Sequence, residues 1–300
     1  MIKTLEINLV KSESVSAKLK DYLLLVKLRL SLLVVFSSVV TYLTAAMGHS
    51  INWFELSMLA LGGFFVTGSA NGINQIIEKD FDKLMHRTAN RPLATNRISI
   101  TEAAIFCTAI GIIGVSLIGL YLNKTSSILA LASLLSYAFI YTPLKRVSPI
   151  SVLVGAFPGA VPAMLGWVAF TGTIGIEALV FFGIQFFWQF PHFWSVAWLL
   201  DDDYKRAGFK MLPSTPGRDK GTALQTLAFT LVLIPFGMLP AYLGFAGLIS
   251  TVIAVIGAIW MSYNAYLLFK SCDIASAKRL MFSAFIYLPL VQLAFWLDKI

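Results

Sequence analysis

The stretch "LSMLALGGFFVTGSANGINQIIEKDFD", residues 56–82, decides what kind of fold this chain can adopt. Its first 22 residues, 56–77, carry no charge, and three carboxylates, Glu78, Asp80 and Asp82, follow within five positions. About 20 apolar residues in a helix are enough to cross the hydrocarbon core of a bilayer. The stretch therefore predicts a membrane-spanning helix that ends in an acidic segment at the membrane surface.

The rest of the chain repeats this apolar pattern. Of its 300 residues 58% are hydrophobic and 13% charged, whereas a soluble domain carries about 25% charged residues. The longest run, 221–269, has room for two spans, with "YLGFAG" (242–247) as the turn. We therefore predict an all-α integral membrane protein with about nine transmembrane helices in a single domain, 1–300. The charge-free runs are 30–47, 56–77, 103–123, 125–144, 147–176, 178–200, 221–269 and 280–297.

The placement of lysine and arginine predicts the orientation. With the N-terminus in the cytoplasm, 21 of the 23 basic residues fall in cytoplasmic segments, and only Lys124 and Lys299 fall outside them. We therefore predict a multi-pass protein of the bacterial inner membrane, with a cytoplasmic N-terminal segment (1–21) and cytoplasmic acidic loops. The net charge of +8 then follows from topology, with membrane lipid as a partner and no nucleic acid.

Polar residues form a stripe along the end of the predicted span 56–77 and the acidic segment that follows it. Asn74, Glu78 and Asp82 are spaced i, i+4, i+8, so they share one helix face, and Asn71 and His86 extend it. Carboxylate and amide oxygens are hard ligands suited to Mg²⁺, which proteins usually hold together with substrate phosphates. A solvated loop of balanced charges is the alternative, but asparagines inside a span favour a functional role. His86 either continues the stripe or faces water.

Basic residues follow the stripe. Arg87 and Arg91 carry guanidinium groups that can hydrogen-bond phosphate oxygens, bidentately where the geometry allows. Together with the acidic stripe they predict a metal–diphosphate site at the cytoplasmic membrane surface.

A weaker copy of this arrangement lies in "PHFWSVAWLLDDDYKRAGFKMLP", residues 191–213. His192, Leu199 and Asp203 have the spacing 0, +7, +11. Asn71, Glu78 and Asp82 of the first stripe have the same spacing. The two helices are thus predicted to present acids to one shared site. His192 lies about 16 Å along the helix from Asp203. It is either a hydrogen-bonded core histidine, a ligand to iron or a polar contact to a substrate.

Four stretches of this chain resemble the UbiA superfamily of intramembrane prenyltransferases, and within it the branch that acts on haem. The superfamily signals are the asparagine–acid–acid helix and "RTANRPL" (87–93). The haem-branch signals are "YTPLKRVSPISVLVGAFPGAVPAMLGW" (141–167) and "FFWQFPHFWSVAWLLDDDYKRAGFKMLP" (186–213), and the likeness covers about residues 22–298. The chain departs from the family at Glu78, where aspartate is commoner, and has His192 where quinone-type members carry an acid.

The resemblance implies a UbiA-type fold, with the helices around a central cavity that opens sideways to lipid. It implies transfer of a farnesyl group from farnesyl diphosphate to a vinyl group of haem b, with addition of water, to give haem O and diphosphate. A haem A synthase or a terminal oxidase would then receive haem O. His192 would contact haem. The implied Mg²⁺ ligands, also the catalytic residues, are Asn74, Glu78, Asp82 and Asp203, and the implied diphosphate-binding residues are Arg87, Arg91, Lys145, Arg146, Lys205 and Lys210.

Two other functions fit parts of the pattern. A prenyltransferase acting on an aromatic quinone precursor would share the diphosphate site, but the stretches 141–167 and 186–213 disfavour it. A transporter would also place polar residues in a glycine-interrupted span. Its ion-binding groups would lie near the midplane, whereas the acids here cluster at the cytoplasmic helix ends.

Overall fold

The charge-free runs become nine long helices in the computed structural model, which describes residues 15–299. A π-helical segment, Ser136–Tyr141, joins the helix Lys124–Leu135 to the helix Thr142–Val147 and makes them one continuous span. The helices Lys220–Tyr242 and Leu248–Ser271 are separated at the predicted turn. Residues 1–14 of the predicted N-terminal segment lie outside the described residues. The helices are α1 (Val15–Leu25), α2 (Leu28–Ala45), α3 (Trp53–Ile77), α4 (Lys79–Asp82), α5 (Ile100–Tyr121), α6 (Lys124–Leu135), α7 (Thr142–Val147), α8 (Ser151–Thr171), α9 (Ile176–Leu199), α10 (Asp201–Arg206), α11 (Lys220–Tyr242), α12 (Leu248–Ser271) and α13 (Ile274–Leu297).

Eight of these long helices in the described part of the chain are apolar enough to cross a membrane. The ninth, α9, is equally long at 24 residues but carries Gln185, Gln189 and His192 in its interior. These polar side chains lower its hydropathy, and an interior span tolerates them because neighbouring helices surround it. The chain is therefore a multi-pass integral membrane protein, and the predicted number of long helices is confirmed for residues 15–299.

The nine helices close into a ring in chain order. Each long helix packs against the next one along the chain, and α13 packs back against α2. Further contacts of α2 with α8 and of α9 with α13 cross the inside of the ring. The polar face of α9 is thereby turned toward α8 and α13 rather than toward lipid.

Side-chain caps mark where several of the helices begin. Asn52 Oδ1 accepts hydrogen bonds from the backbone N–H groups of the first turn of α3, at 3.1 and 3.2 Å. Ser99, Asn123, Asp219 and Asp273 do the same for α5, α6, α11 and α13. The first N–H groups of a helix have no partner within it, so each cap stabilises the start of a span by about 1 kcal/mol.

The segments predicted to be cytoplasmic meet at one end of the ring. Arg97 Nε donates to Asp21 at 3.0 Å, and the backbone N–H of Lys210 donates to the Lys145 carbonyl at 2.7 Å. Lys299, predicted to lie on the other side, donates at 3.2 Å to a carbonyl at the far end of α2. This shared end fits the odd number of spans. Which side of the membrane it faces stays a prediction.

Candidate active site

The acidic stripe continues across a break between two helices. Helix α3 ends at Ile77, and Glu78 has φ −95° and ψ 6° before α4 begins. The backbone still donates from Glu78 to Asn74 at 3.0 Å and from Asp82 to Glu78 at 2.8 Å, so the four-residue spacing is kept. Asn74, Glu78 and Asp82 are all buried, at 1%, 4% and 0% exposed, whereas Asp80 faces water and pairs with Lys83. Burial of two carboxylates at a helix end requires cationic partners.

Each buried carboxylate meets a cation from another segment. Arg91 Nη1 donates to both carboxylate oxygens of Asp82, at 2.8 and 2.7 Å. Lys145, at the end of α7, forms an ion pair with Glu78. The oxygen that Lys145 Nζ contacts is the buried Oε1 of Glu78, which receives no other donor from the described residues.

A third cation, Lys27, completes the cluster and was missed by the sequence analysis. Its Nζ donates to Asn74 Oδ1 at 3.1 Å, while Asn74 Nδ2 donates to the Thr142 hydroxyl at 3.2 Å. Lys27 has φ 49° and ψ 59°, a left-handed conformation that is unusual for lysine, and it joins α1 to α2. The signal in the sequence is weak, because Lys27 and Arg29 both stand just before the first long apolar run and their spacing does not distinguish them.

The electrostatics of the cluster favour an anionic ligand. Burial raises the pKa of the Asp82 carboxyl despite the opposing effect of Arg91. Burial lowers the pKa of the Lys27 ammonium, and repulsion from Arg91 and Lys145 lowers it further. Three cations thus face two carboxylates in a poorly solvated place. An added anion would reduce this repulsion.

The second acidic segment reaches the loop that follows the stripe. Asp203, in α10, accepts hydrogen bonds from the backbone N–H groups of His86 at 3.3 Å and Arg87 at 3.4 Å, and it forms an ion pair with Arg206. His86 itself is exposed to water. Asp203 therefore stands at the rim of the cluster. Within residues 15–299 no three carboxylate, imidazole or thiol side chains converge closely enough to hold a metal ion.

Of the six predicted diphosphate-binding cations, Arg91 and Lys145 are the two that touch Asp82 or Glu78. Arg87 is exposed at the rim, where its backbone N–H donates to Asp203. The others have partners elsewhere: Arg146 stacks over the Phe81 ring at 4.0 Å, Lys205 pairs with Asp201 at 2.7 Å, and Lys210 Nζ donates to the Val147 carbonyl at 3.3 Å.

The donor set of the cluster suits Mg²⁺. Glu78 and Asp82 offer carboxylate oxygens, and Asn74 offers an amide oxygen. At present Lys145 pairs with Glu78 and Arg91 pairs with Asp82.

A cavity of about 280 Å³ lies inside the ring. Asn71, one turn before Asn74, lines one part of it, and His192 of α9 lines another. The remaining wall is mostly apolar and aromatic, so the cavity can hold hydrocarbon. Other polar or aromatic lining residues are Phe36, Ser37, Thr67, Ser133, Tyr137, Tyr141, Gln185, Trp188, Gln189, Phe193, Phe285 and Gln292.

His192 lies in an aromatic cage and has no polar partner among the described residues. Trp188 stacks on its ring at 4.7 Å between centroids, and Phe285 approaches edge-on at 4.9 Å. Its Nδ1 is buried without a hydrogen bond. A histidine that joined two helices would be hydrogen-bonded to one of them, so this geometry favours a role toward a ligand.

The π-helical segment shapes the part of the cavity near the acids. Pro143 has no N–H, which leaves the carbonyl of Phe139 without its usual partner and favours a local widening of the helix. The segment directs Tyr137 and Tyr141 toward the cavity and places Thr142 against Asn74. The "YTP" sequence contains the proline signal, but a proline alone does not reveal a π-helix.

The chain is similar to proteins of known family. Residues 33–288 match the UbiA prenyltransferase family. A protoheme IX farnesyltransferase from Cytophaga hutchinsonii is 48% identical over 285 residues, which cover 95% of this chain and 99% of that protein.

Two solved structures share the fold. The first, described as giving insights into the biosynthesis of digeranylgeranylglyceryl phosphate synthase in membranes, has a TM-score of 0.78 and 22% identity over 94% of this chain and 98% of that one. The second, a UbiA homolog from Archaeoglobus fulgidus bound to GPP and Mg²⁺, has a TM-score of 0.71 and 13% identity over 92% and 99% of the two chains. With the family match spanning most of its length, and with the helix ring and acidic cluster described above, this chain belongs to the UbiA prenyltransferase family.

Proposed function

We propose that this protein transfers a farnesyl group from farnesyl diphosphate to a vinyl group of haem b, with addition of water, and releases haem O and diphosphate. The observation that carries the proposal is the largely apolar cavity that Asn71 and His192 line, which begins about one helical turn from Asn74 of the charged cluster. A prenyl diphosphate can place its charged end at the cluster and its hydrocarbon tail in the cavity. The name of the Cytophaga relative, at 48% identity over nearly the whole chain, supports haem as the acceptor.

Asn74, Glu78 and Asp82 would hold Mg²⁺, with Asp203 approaching from the rim. This set supplies hard oxygen ligands from a helix end, and the Archaeoglobus homolog with GPP and Mg²⁺ supports the metal requirement. When bound, the metal would stabilise the negative charge that develops on the leaving diphosphate.

Cations of this chain would orient the diphosphate. Arg91 and Lys145 would exchange their carboxylate partners for phosphate oxygens once the metal neutralises those carboxylates, and Lys27 would do the same from its position at Asn74. Arg87, at the rim, would also bind phosphate oxygens. The predicted roles of Arg146, Lys205 and Lys210 require these side chains to leave their present partners.

The cavity would protect the allylic cation that forms when the carbon–oxygen bond breaks. Tyr137 and Tyr141 stand between the cluster and the deeper cavity, and aromatic faces attract cations. The apolar wall excludes most water, which would otherwise capture the cation before haem reacts.

His192 would bind haem through its iron. Imidazole is a common ligand of haem iron, and this imidazole has no polar partner among the described residues to displace.

We further propose that the charged end of the ring faces the cytoplasm of a bacterial inner membrane. The distribution of lysine and arginine supports this orientation. Haem O would then pass to a haem A synthase or a terminal oxidase in the same membrane.

The test is a product assay with the purified full-length protein, farnesyl diphosphate, haem b and Mg²⁺. Formation of haem O that requires all three additions would support the proposal. A parallel assay offers an aromatic quinone precursor instead of haem b, and prenylation of that precursor but not of haem would refute the proposal.

A further inference from the structure

Buried amides form a hydrogen-bonded chain in the wall of the cavity. Ser37 Oγ donates to Gln292 Oε1 at 3.1 Å, and Gln292 Nε2 donates to Gln185 Oε1 at 3.0 Å. Gln185 Nε2 in turn donates to the carbonyl of Gly159 at 2.7 Å. These hydrogen bonds link α2, α13, α9 and α8. Because the oxygens of Gln292 and Gln185 each have a donor, neither amide offers a free acceptor.

Gln189, one turn further along α9, differs in this respect. Its Nε2 donates to the carbonyls of Ala156 at 3.0 Å and Gln185 at 3.2 Å, which determines which end of the amide is nitrogen. Its Oε1 accepts a hydrogen bond from none of the residues 15–299, although the side chain is only 3% exposed. The oxygen lies against Gly159, where a Cβ would overlap it, and both residues line the cavity.

A free acceptor at this place has no partner in either substrate. The farnesyl chain is a hydrocarbon, its diphosphate only accepts hydrogen bonds, and haem b with ionised propionates has no N–H or O–H to donate. Water does have a donor, and it can reach this oxygen from the cavity that Gln189 lines. Water is also the third reactant of the proposed reaction.

We infer that Gln189 is a positioning residue that holds the water molecule which adds to the farnesylated haem. The inference rests on the proposed function and names the residue behind its hydration step. Gln189 stands three residues from His192 on the same helix, about 4.5 Å along its axis. A haem held by His192 would therefore lie close to this water.

In the reaction, the π electrons of the vinyl group form the bond to the farnesyl carbon as its carbon–oxygen bond to diphosphate breaks, and the inner vinyl carbon becomes a cation. A lone pair of the held water forms the new carbon–oxygen bond, and one of its protons passes to the released diphosphate, the base at the charged cluster. Gln189 Oε1 accepts a hydrogen bond from the water throughout and gains no proton. Without a held water, the cation would lose a proton from the adjacent carbon, the former outer vinyl carbon, and give a farnesylated haem that has a double bond and lacks the hydroxyl group.

The experiment compares products by mass after a single turnover of the purified full-length protein in ¹⁸O-labelled water. Wild type should give haem O that carries the label. Gln189→Leu should still farnesylate haem, but the ratio of hydrated to dehydrated product should fall about tenfold, the factor expected for loss of one hydrogen bond in the product-determining step. Gln189→Glu keeps an acceptor oxygen and should retain the hydrated product.

Controls separate this role from a structural one. Gln185→Leu removes an amide whose oxygen already has a donor, so it should lower thermal stability without changing the product ratio. Gln189→Met, which keeps the length of the side chain, replaces Gln189→Leu if that variant does not fold. An unchanged ratio in the folded Gln189 variant would overturn the inference, as would loss of all farnesylation with haem and diphosphate still bound. Absence of any farnesylated haem from wild type would instead refute the proposed function.

Discussion

Replacing Asp82 by asparagine tests the acidic cluster most directly, because the change keeps the shape of the side chain and removes its charge. Asp82 is fully buried and receives two hydrogen bonds from Arg91. If its charge helps to stabilise the leaving diphosphate through a metal, its loss should lower kcat about 10²–10³-fold, as removal of one preorganised electrostatic group does.

The same change should affect stability much less. Breaking a buried ion pair costs about 3–5 kcal/mol when the remaining charge is left without solvent. Here the Arg91 side chain is 17% exposed at the surface end of the ring, and asparagine keeps an acceptor oxygen for it. We therefore expect a loss of about 1–2 kcal/mol and a fall of only a few degrees in Tm.

The assay is haem O formation at saturating farnesyl diphosphate, over a range of Mg²⁺ concentrations, with the thermal unfolding of each variant measured in the same detergent. Asp80→Asn is the matched control, since it removes the same charge two residues away from a side chain that faces water. Asp80→Asn should keep wild-type activity. If Asp82→Asn stays within about threefold of wild type at limiting Mg²⁺, or if the two variants lose activity equally, the assignment of Asp82 to the metal site is wrong.

Three further predictions concern other parts of the molecule. Lys27→Met should raise KM for farnesyl diphosphate about tenfold or more, as expected for loss of one charge-assisted hydrogen bond. The control, Arg29→Met, removes a nearby exposed charge and should leave KM unchanged. Equal effects of the two variants on KM would exclude Lys27 from the site. His192→Ala should alter the absorption spectrum of bound haem and weaken haem binding while farnesyl diphosphate affinity stays within a few-fold, and an unchanged spectrum would show that His192 does not bind the iron. A cysteine at Asn90 should resist an impermeant thiol reagent on intact cells and one at Thr173 should react, in a background without native cysteines; the reverse pattern would invert the topology.

Local features of the chain were readable without a structure. A span needs only enough apolar residues in sequence, so the nine long helices and the turn at 242–247 follow from the charge-free runs. The common face of Asn74, Glu78 and Asp82 follows from helical periodicity, and it persists through the break at Glu78 because the backbone hydrogen bonds keep their spacing.

The partners of those residues depend on packing between distant segments. Lysine and arginine have long side chains, so sequence spacing alone does not reveal which carboxylate each one meets. Six cations were predicted at the site, but two of them touch the acids of the stripe, and the unpredicted Lys27 reaches Asn74 from 47 residues away. The glutamine chain is still less local, since Ser37 and Gln292 are 255 residues apart. Helix periodicity is a property of neighbours along the chain, whereas these contacts exist only because the ring closes α13 against α2 and turns the polar face of α9 inward.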